Sequence, residues 1–206
     1  MKTYTFLLDK FQFAMVSSSF REKTDVIRLW MNAIKLMTVY SPPTAPISQL
    51  VVKVDKMNRL FLSSDGKCVS VNFPFTTYEK DGKFEFSAKS CGLVDSRISS
   101  NILSLLAADV LMAEEIVAFA EPIMDICEFD KHAWGLLRDL VIADDGYLRF
   151  DHDPERENGR IHPINHIDVF YSQSSTFKLG LLSKLSVDEL SDVLSSRTDC
   201  HFLTKS

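Results

Sequence analysis

The sequence predicts a single α+β domain that spans all 206 residues. Three observations support this fold class. Apolar residues recur with a helical period near the N-terminus and again in the middle of the chain. Polar and apolar residues alternate between turn signals over residues 49–91, as in an antiparallel β-meander, and three further strand patterns precede a final helix. We expect a helix-and-meander half, about residues 1–94, to pack against a half of helices and three strands, about residues 95–206.

The N-terminal half opens with an ambiguous segment, since residues 3–17 fit either a first strand or a short helix. Residues 19–40 then read as an amphipathic helix. Its apolar face comprises Val26, Ile27, Trp30, Ile34 and Met37. The paired prolines that follow disfavour helical backbone in the residue before them, so the helix should end there. Beyond them, Asp-Gly pairs at residues 65–66 and 81–82 predict a meander of three to four strands with one buried face.

The C-terminal half begins with a long apolar stretch, which predicts a helix from about Asp95 to Pro122. Because residues 102–126 are apolar nearly all round, this helix suits either the centre of the core or half of a subunit interface. A second helix is expected over residues 129–143, with Asp130 as its cap. Three strands should follow, and the S-V-D-E sequence from Ser186 predicts a capping box at the start of a last helix.

Composition excludes several classes of function. The net charge of −5 predicts no extended basic surface for nucleic acid. The apolar stretch of residues 102–126 contains too many acidic residues to span a membrane. The four cysteines lie far apart and form no C-x-x-C pair, which is typical of isolated thiols in a reducing cytoplasm. The glycine patterns of Walker and dinucleotide-binding loops are missing, as is the G-x-S-x-G motif of many hydrolases.

One polar block, residues 149–172, has the residue types of a metal site. Asp151 and Asp153 lie two apart at the end of a predicted strand, so alternation points them to the same face. His166 begins the next strand, and an antiparallel pairing would bring it and Asp168 to the same place. Carboxylate and imidazole together suit a divalent metal such as Mn or Zn, and the predicted metal ligands are Asp151, Asp153 and His166. The alternative is a solvated turn from Asp153 and histidines that bind loop backbone.

A cationic element accompanies this block. Arg149 lies on the first of the three strands and Lys178 on the third, and hydroxyls at Ser174, Ser175 and Thr176 precede Lys178. Together they would suit a phosphate or a carboxylate. Five acidic residues between positions 151 and 168 stand against two arginines, so a free phosphate would be repelled unless a cation bridges it. The alternative is that Arg149 and Lys178 form ion pairs with aspartates across the sheet.

The same block resembles a family of bacterial proteins that carry R-F-D-x-D-P followed by H-P-x-x-H. The resemblance covers about residues 50–195 and is strongest over residues 149–181. The shared positions are Arg149, Asp151, Asp153, Pro154, His162, Pro163, His166 and Lys178. Where that family has a polar residue or another histidine after the second histidine, this chain has Asp168. Members of the family accompany mobile or defence loci, so the resemblance implies a role in phage defence or a toxin–antitoxin system without implying a reaction.

Two functional hypotheses therefore stay open, and with them the question of whether the protein is an enzyme. In the first, the chain is a non-catalytic, partner-binding subunit of a bacterial anti-phage defence or toxin–antitoxin complex, and other protein subunits are its expected partners. Its ligand or partner site, with a nucleotide or phosphate as expected ligand, comprises Arg149, Asp151, Asp153, His162, His166, Asp168 and Lys178. In the second, it is a metal-dependent phosphoesterase or nuclease. His162 then serves as general acid or base, and Lys178 stabilises the phosphoryl charge.

Overall fold

The computed structural model describes residues 2–54, 56–170, 177–195 and 197–201, and of Phe177 it describes the backbone alone. The strands in these residues are β1 Lys2–Leu8, β2 Ser48–Val54, β3 Arg59–Ser64, β4 Lys67–Asn72, β5 Thr76–Lys80, β6 Lys83–Ser87, β7 Leu148–His152, β8 Asn165–Val169 and β9 Phe177–Gly180. The helices are α1 Lys10–Val16, α2 Lys23–Thr38, α3 Ser96–Ala107, α4 Ile116–Phe129, α5 Ala133–Ile142 and α6 Val187–Val193. The predicted α+β class is confirmed.

Seven of these strands form one antiparallel sheet in the order β1-β2-β3-β4-β7-β8-β9, while β5 and β6 form a separate hairpin. The pairing of β4 with β7 joins the predicted meander to the predicted three-strand unit. The two halves of the sequence therefore contribute strands to one sheet. The segment of residues 3–17 contains both of the predicted alternatives, since β1 is followed by α1.

Both predicted Asp-Gly pairs lie at hairpin turns. Gly66 lies between β3 and β4 and has a φ of 71°. Between β5 and β6, Asp81 and Gly82 have φ values of 52° and 72°. In the β5–β6 turn, two successive left-handed residues give a twist that matches the flanking strands. Aspartate and glycine are among the residues that accept this conformation most readily.

The two faces of the sheet differ in what covers them. Helices α1 to α5 pack on one face, and α2 buries its predicted apolar face there, including Trp30 and Ile34. On the opposite face, Leu190 of α6 packs against Phe61, Phe150 and Ile167. The capping box predicted at Ser186 is present at the start of α6. Core formation thus uses both faces of the central strands, which explains their continuous runs of apolar residues.

The prediction of one long helix from Asp95 to Pro122 is wrong. Helix α3 ends at Ala107, Asp109 adopts a left-handed φ of 50°, and a 3-10 turn at Val110–Met112 precedes α4. Pro122 lies inside α4. The hydrophobic pattern continues across the break because residues on both sides pack on the same core, so periodicity alone does not reveal it. Asp130 lies at the end of α4, where its Oδ1 accepts a hydrogen bond from the backbone of His132 ahead of α5.

Helix α4 is also more exposed than a central core helix would be. Ile123 is its buried residue, whereas Ile116, Val117 and Met124 are exposed, as is Trp134 on α5. Within this stretch the α3 residues Ile102, Leu105 and Leu106 are buried in the core, whereas α4 lies at the edge of the core with one face exposed. The helices of the described residues are too short or too polar to cross a membrane. All four cysteines are free thiols, and Cys68 and Cys91 are buried.

Candidate functional site

The sheet register brings four side chains of the predicted polar block together with Lys178. Asp168 on β8 lies opposite Arg149 on β7 and opposite Lys178 on β9. Asp151 and His166 form the next pair, two residues away on the same two strands. Since residues two apart in a strand share a face, all five side chains lie on the face that α2 covers further along the sheet. The apolar core on this face gives way to charged residues at β7.

Arg149 holds the two carboxylates of this cluster. Its Nε donates to Asp151 Oδ2 over 2.7 Å, and its Nη2 donates to Asp168 Oδ2 over 2.5 Å. Burial acts to lower the pKa of Arg149, but neighbouring Tyr147, Asp151 and Asp168 raise it overall. The guanidinium is therefore a permanent cation. The predicted ion pairing across the sheet is present, and it uses the Oδ2 atoms of both aspartates.

Lys178 and His166 complete the network. The Lys178 Nζ donates to Asp168 Oδ1 over 2.6 Å and lies 3.1 Å from His166 Nε2. On the other side of the ring, His166 Nδ1 is 2.8 Å from the backbone oxygen of Pro163. A carbonyl oxygen only accepts, so Nδ1 carries a proton, and Nε2 is the ring atom that faces Lys178. The H-P-x-x-H spacing thereby fixes the tautomer and orientation of His166.

Gly180 contributes to the position of Pro163. It lies opposite His166 in the pairing of β8 with β9. A Cβ atom built on Gly180 would lie 3.0 Å from Pro163 Cγ, so any larger residue would push the proline away. Gly180 was not among the predicted site residues. The signal that would have identified it is a glycine inside a strand pattern, which often marks the close approach of another backbone segment.

A cavity of about 700 Å³ opens above this cluster. The segment of residues 18–21, which connects α1 to α2, forms part of its wall, together with Gly66 and Lys67 of the β3–β4 turn. Cationic residues that line it are Arg21, Lys67, Arg149, Arg156 and Lys178, and the carboxylates are Asp65, Asp151, Asp153 and Glu155. Asp168 lies beneath the cavity wall, and with it the carboxylates number five, as many as the cationic residues. The cavity therefore offers strong hydrogen-bond donors and acceptors without a large excess of either charge.

Two polar atoms at the cavity are buried without a hydrogen-bond partner among the described residues. They are Asp151 Oδ1 and His162 Nδ1. Lys67 Nζ lies 3.9 Å from Asp151 Oδ1, within range of an ion pair and beyond that of a hydrogen bond. The His162 ring contacts the His166 ring edge-on, with 4.6 Å between centroids. Buried polar atoms are nearly always paired in native structures, so these two atoms are open hydrogen-bonding positions next to the cavity.

Three residues of the cluster are placed to hold a metal ion. Asp151, His166 and Asp168 each have one ligand atom within 4.8 Å of the others. His166 Nε2 lies 3.7 Å from Asp151 Oδ2 and 3.9 Å from Asp168 Oδ1. Ligand atoms around a tetrahedral metal at about 2.1 Å are about 3.4 Å apart, so small side-chain rotations would close the group on an ion.

Asp153, which was predicted as a metal ligand, lies outside this group. It follows the end of β7, and its Oδ1 accepts a hydrogen bond from the backbone of Arg156, over 3.2 Å. This is the turn geometry that was the alternative reading for that residue. Asp153 still lines the cavity, as does His162. The structure thus places Asp168 in the metal group where the sequence predicted Asp153.

The cavity also has walls that sequence reasoning missed. Lys67 and residues 18–21 come from distant parts of the chain, and no local pattern connects them to the polar block. Ser174, Ser175 and Thr176, which were predicted to help bind a phosphate, lie outside the described residues.

Comparison of the chain with protein-family models, with curated proteins and with solved structures found no match.

Proposed function

We propose that the protein is a ligand-binding subunit of a bacterial defence complex, and that it works in the cytoplasm. The cavity above β7–β9 is proposed to bind a phosphate-bearing small molecule such as a nucleotide. The observation that carries this proposal is the combination of Arg149 and Lys178 with the unpaired Asp151 Oδ1 at one cavity wall. The defence role rests on the resemblance in the polar block alone.

The chemistry of the wall suits such a ligand. Arg149 and Lys178 are about a quarter exposed, so their donors reach the cavity while their carboxylate partners stay buried. Guanidinium and ammonium groups are the usual partners of phosphate oxygens. The Asp151 carboxylate only accepts, and its Oδ1 has no hydrogen-bond partner among the described residues, so it suits a donor such as a ribose hydroxyl or a base amino group. The cavity volume of about 700 Å³ lies within the range of small-molecule sites.

The role as a subunit is supported by the exposed apolar surface of α4 and α5. Met124 and Trp134 of this surface line a shallow cavity between the two helices, and Val117 is exposed on α4 one turn before Ala120. The acidic residues of α4 that border it are Glu121, Asp125 and Glu128, which recur at helical spacing. Large exposed apolar areas with polar rims are typical of protein–protein interfaces. We propose that a second protein encoded beside this one binds there.

A metal-dependent phosphoesterase is the second candidate function. The group of Asp151, His166 and Asp168 favours it, because two carboxylates and one imidazole suit Mn or Zn. Lys178 and Arg149 would then stabilise the phosphoryl charge, and His162 would exchange a proton with the leaving group. One feature favours ligand binding over catalysis. Arg149 and Lys178 already neutralise the two carboxylates, which weakens the attraction of the site for a metal ion.

The ligand proposal is tested by titrating the purified protein with inorganic phosphate and a panel of nucleoside phosphates in a calorimeter. We expect at least one compound to bind, and Arg149→Met to weaken that binding at least tenfold, or about 1.4 kcal/mol, because it removes a donor at the cavity wall. Arg160→Met is the matched control, since Arg160 is exposed on the loop that follows β7. Equal affinity in both variants, or no binding by the wild type, would refute the proposal. Release of phosphate that depends on added Mn²⁺ would favour the phosphoesterase.

The partner proposal is tested by co-expression with the proteins encoded beside this one. We expect a partner to co-purify with the wild type and to be lost in the variant Val117→Asp/Met124→Asp, because charges would be placed in the apolar surface. Val39→Asp is the control, because Val39 is equally apolar and 78% exposed at the end of α2. A partner that remains bound to the double variant would show that this surface is not the interface.

A further inference from the structure

We propose that Lys178 and a divalent cation compete for one position beside Asp168 and His166, so that a phosphate ligand and the cation bind cooperatively. This inference rests on the proposed phosphate site and adds a metal ion as its second ligand. The Lys178 Nζ lies 2.6 Å from Asp168 Oδ1 and 3.1 Å from His166 Nε2. These are two of the atoms that would bind a metal, so the ammonium group occupies the place of the ion.

The group is more than a cluster of acidic side chains. Asp151 is 6% exposed, and its Oδ1 has no hydrogen-bond partner among the described residues. Arg149 binds the Oδ2 atom of each aspartate, and Asp168 Oδ1, which Lys178 binds, lies 3.9 Å from His166 Nε2. His166 is oriented through Nδ1 by the Pro163 carbonyl, and such support is typical of metal-binding histidines. Asp168 and His166 thus each have one ligand atom that neither Arg149 nor Pro163 uses, and Asp151 approaches His166 Nε2 to 3.7 Å through the Oδ2 atom that also binds Arg149.

The charge balance of the buried site prevents Lys178 and the metal ion from binding there at the same time. With Lys178 in place, two cationic side chains match the two carboxylates, and a divalent ion would add an uncompensated charge to a buried site. With Lys178 displaced, Arg149 and the half-exposed Lys67 remain beside the two carboxylates, so the site becomes more negative by one charge and attracts the ion more strongly. The metal therefore binds well only when the ammonium group has left.

Lys178 is able to leave, whereas Arg149 is not. Its side chain is 27% exposed and lines the cavity, and β9 is the edge strand of the sheet. Its flexible stem allows the ammonium group to turn into the cavity. A phosphate bound in the cavity would pair with the displaced ammonium group and so replace the ion pair that Lys178 loses with Asp168. Arg149, in contrast, is held by two carboxylates at once.

The expected consequence is thermodynamic coupling. The phosphate stabilises the state in which Lys178 points into the cavity, and the metal binds to that same state. Each ligand must then raise the affinity of the other by the same factor. Lys178 is the element that carries this coupling, so its removal should give a site that binds metal tightly with or without phosphate.

The experiment measures Mn²⁺ binding to the metal-free, full-length protein by the electron paramagnetic resonance of free Mn²⁺, with and without saturating inorganic phosphate. In the wild type, phosphate should tighten Mn²⁺ binding at least tenfold, and calorimetry should show the same factor for phosphate when Mn²⁺ is added. In Lys178→Met, Mn²⁺ should bind at least tenfold more tightly than in the wild type without phosphate, and the effect of phosphate should be lost. Lys178→Gln serves if the methionine variant does not fold.

Lys67→Met is the matched control. Lys67 lines the same cavity and lies 3.9 Å from Asp151 Oδ1, but within the described residues it forms no ion pair with His166 or Asp168. If Lys67→Met tightens Mn²⁺ binding as much as Lys178→Met, the effect is general electrostatics and the competition is refuted. Unchanged Mn²⁺ affinity in Lys178→Met also refutes it. If the affinity for phosphate is the same in the presence of a chelator as in the presence of Mn²⁺, the coupling is refuted, but the proposed phosphate site stands. Failure to bind phosphate at all refutes that site.

Discussion

Asp168→Ala is expected to destabilise the protein by about 2–3 kcal/mol, because it removes the carboxylate that two cations share. Asp168 is buried between Arg149 and Lys178, which lie opposite it on the neighbouring strands. Breaking a fully buried ion pair costs more, about 3–5 kcal/mol. The smaller figure applies here because the two cationic side chains are 28% and 27% exposed, so water screens them once their partner is lost.

Urea unfolding followed by circular dichroism measures this effect. The control is Asp125→Ala on the exposed surface of α4, which should change the free energy of unfolding by less than about 0.5 kcal/mol. The double variant Asp168→Ala/Lys178→Met should regain part of the loss, because the unpaired ammonium group is removed together with its partner. A loss of less than about 0.5 kcal/mol in Asp168→Ala would show that the network does not stabilise the sheet.

The sequence predicted that the site residues converge, because this convergence depends only on the pairing of successive strands and on side-chain alternation. Three short antiparallel strands in succession pair with their neighbours, and alternation then places Arg149, Asp168 and Lys178 side by side. Asp153 departed from this pattern since β7 ends at His152, and one residue past a strand the alternation no longer holds. Strand ends are poorly determined by pattern, so a ligand at a strand end was the least secure of the predicted set.

The cavity itself was beyond the reach of local patterns. Its walls depend on the pairing of β4 with β7, strands that are separated by a hairpin and three helices. Nothing in an alternating pattern states which edge a later strand joins, and so the approach of Lys67 to Asp151 was not foreseen. The break at Asp109 was missed for a related reason, because both of the helices that it separates face the same core.

Trp30→Ala is expected to have the largest effect on stability, about 3–5 kcal/mol. Trp30 is fully buried in the middle of α2, and its ring packs edge-on against Phe75. Its Nε1 donates a hydrogen bond to the backbone oxygen of Asn72 over 2.7 Å. The substitution therefore creates a large cavity and leaves a carbonyl oxygen unpaired. Urea unfolding measures the loss, and a value near 1 kcal/mol would show that the core collapses around the vacant space.

Trp30→Phe separates the two contributions, because it keeps most of the apolar volume and removes the donor. It should cost about 1–3 kcal/mol, the range for a buried polar group that loses its partner. The loss should also reach the cavity. The Asn72 side chain binds Arg59 and the backbone of Asp144, and the Asn72 backbone binds Asp145, just ahead of β7.

We therefore expect faster amide hydrogen exchange in β7 for Trp30→Phe than for Phe6→Leu, an apolar core substitution on β1 at the far edge of the sheet. Equal exchange in the two variants would show that α2 does not position β7. In that case the strand that carries Arg149 and Asp151 would owe its position to its pairing with β4 and β8 alone.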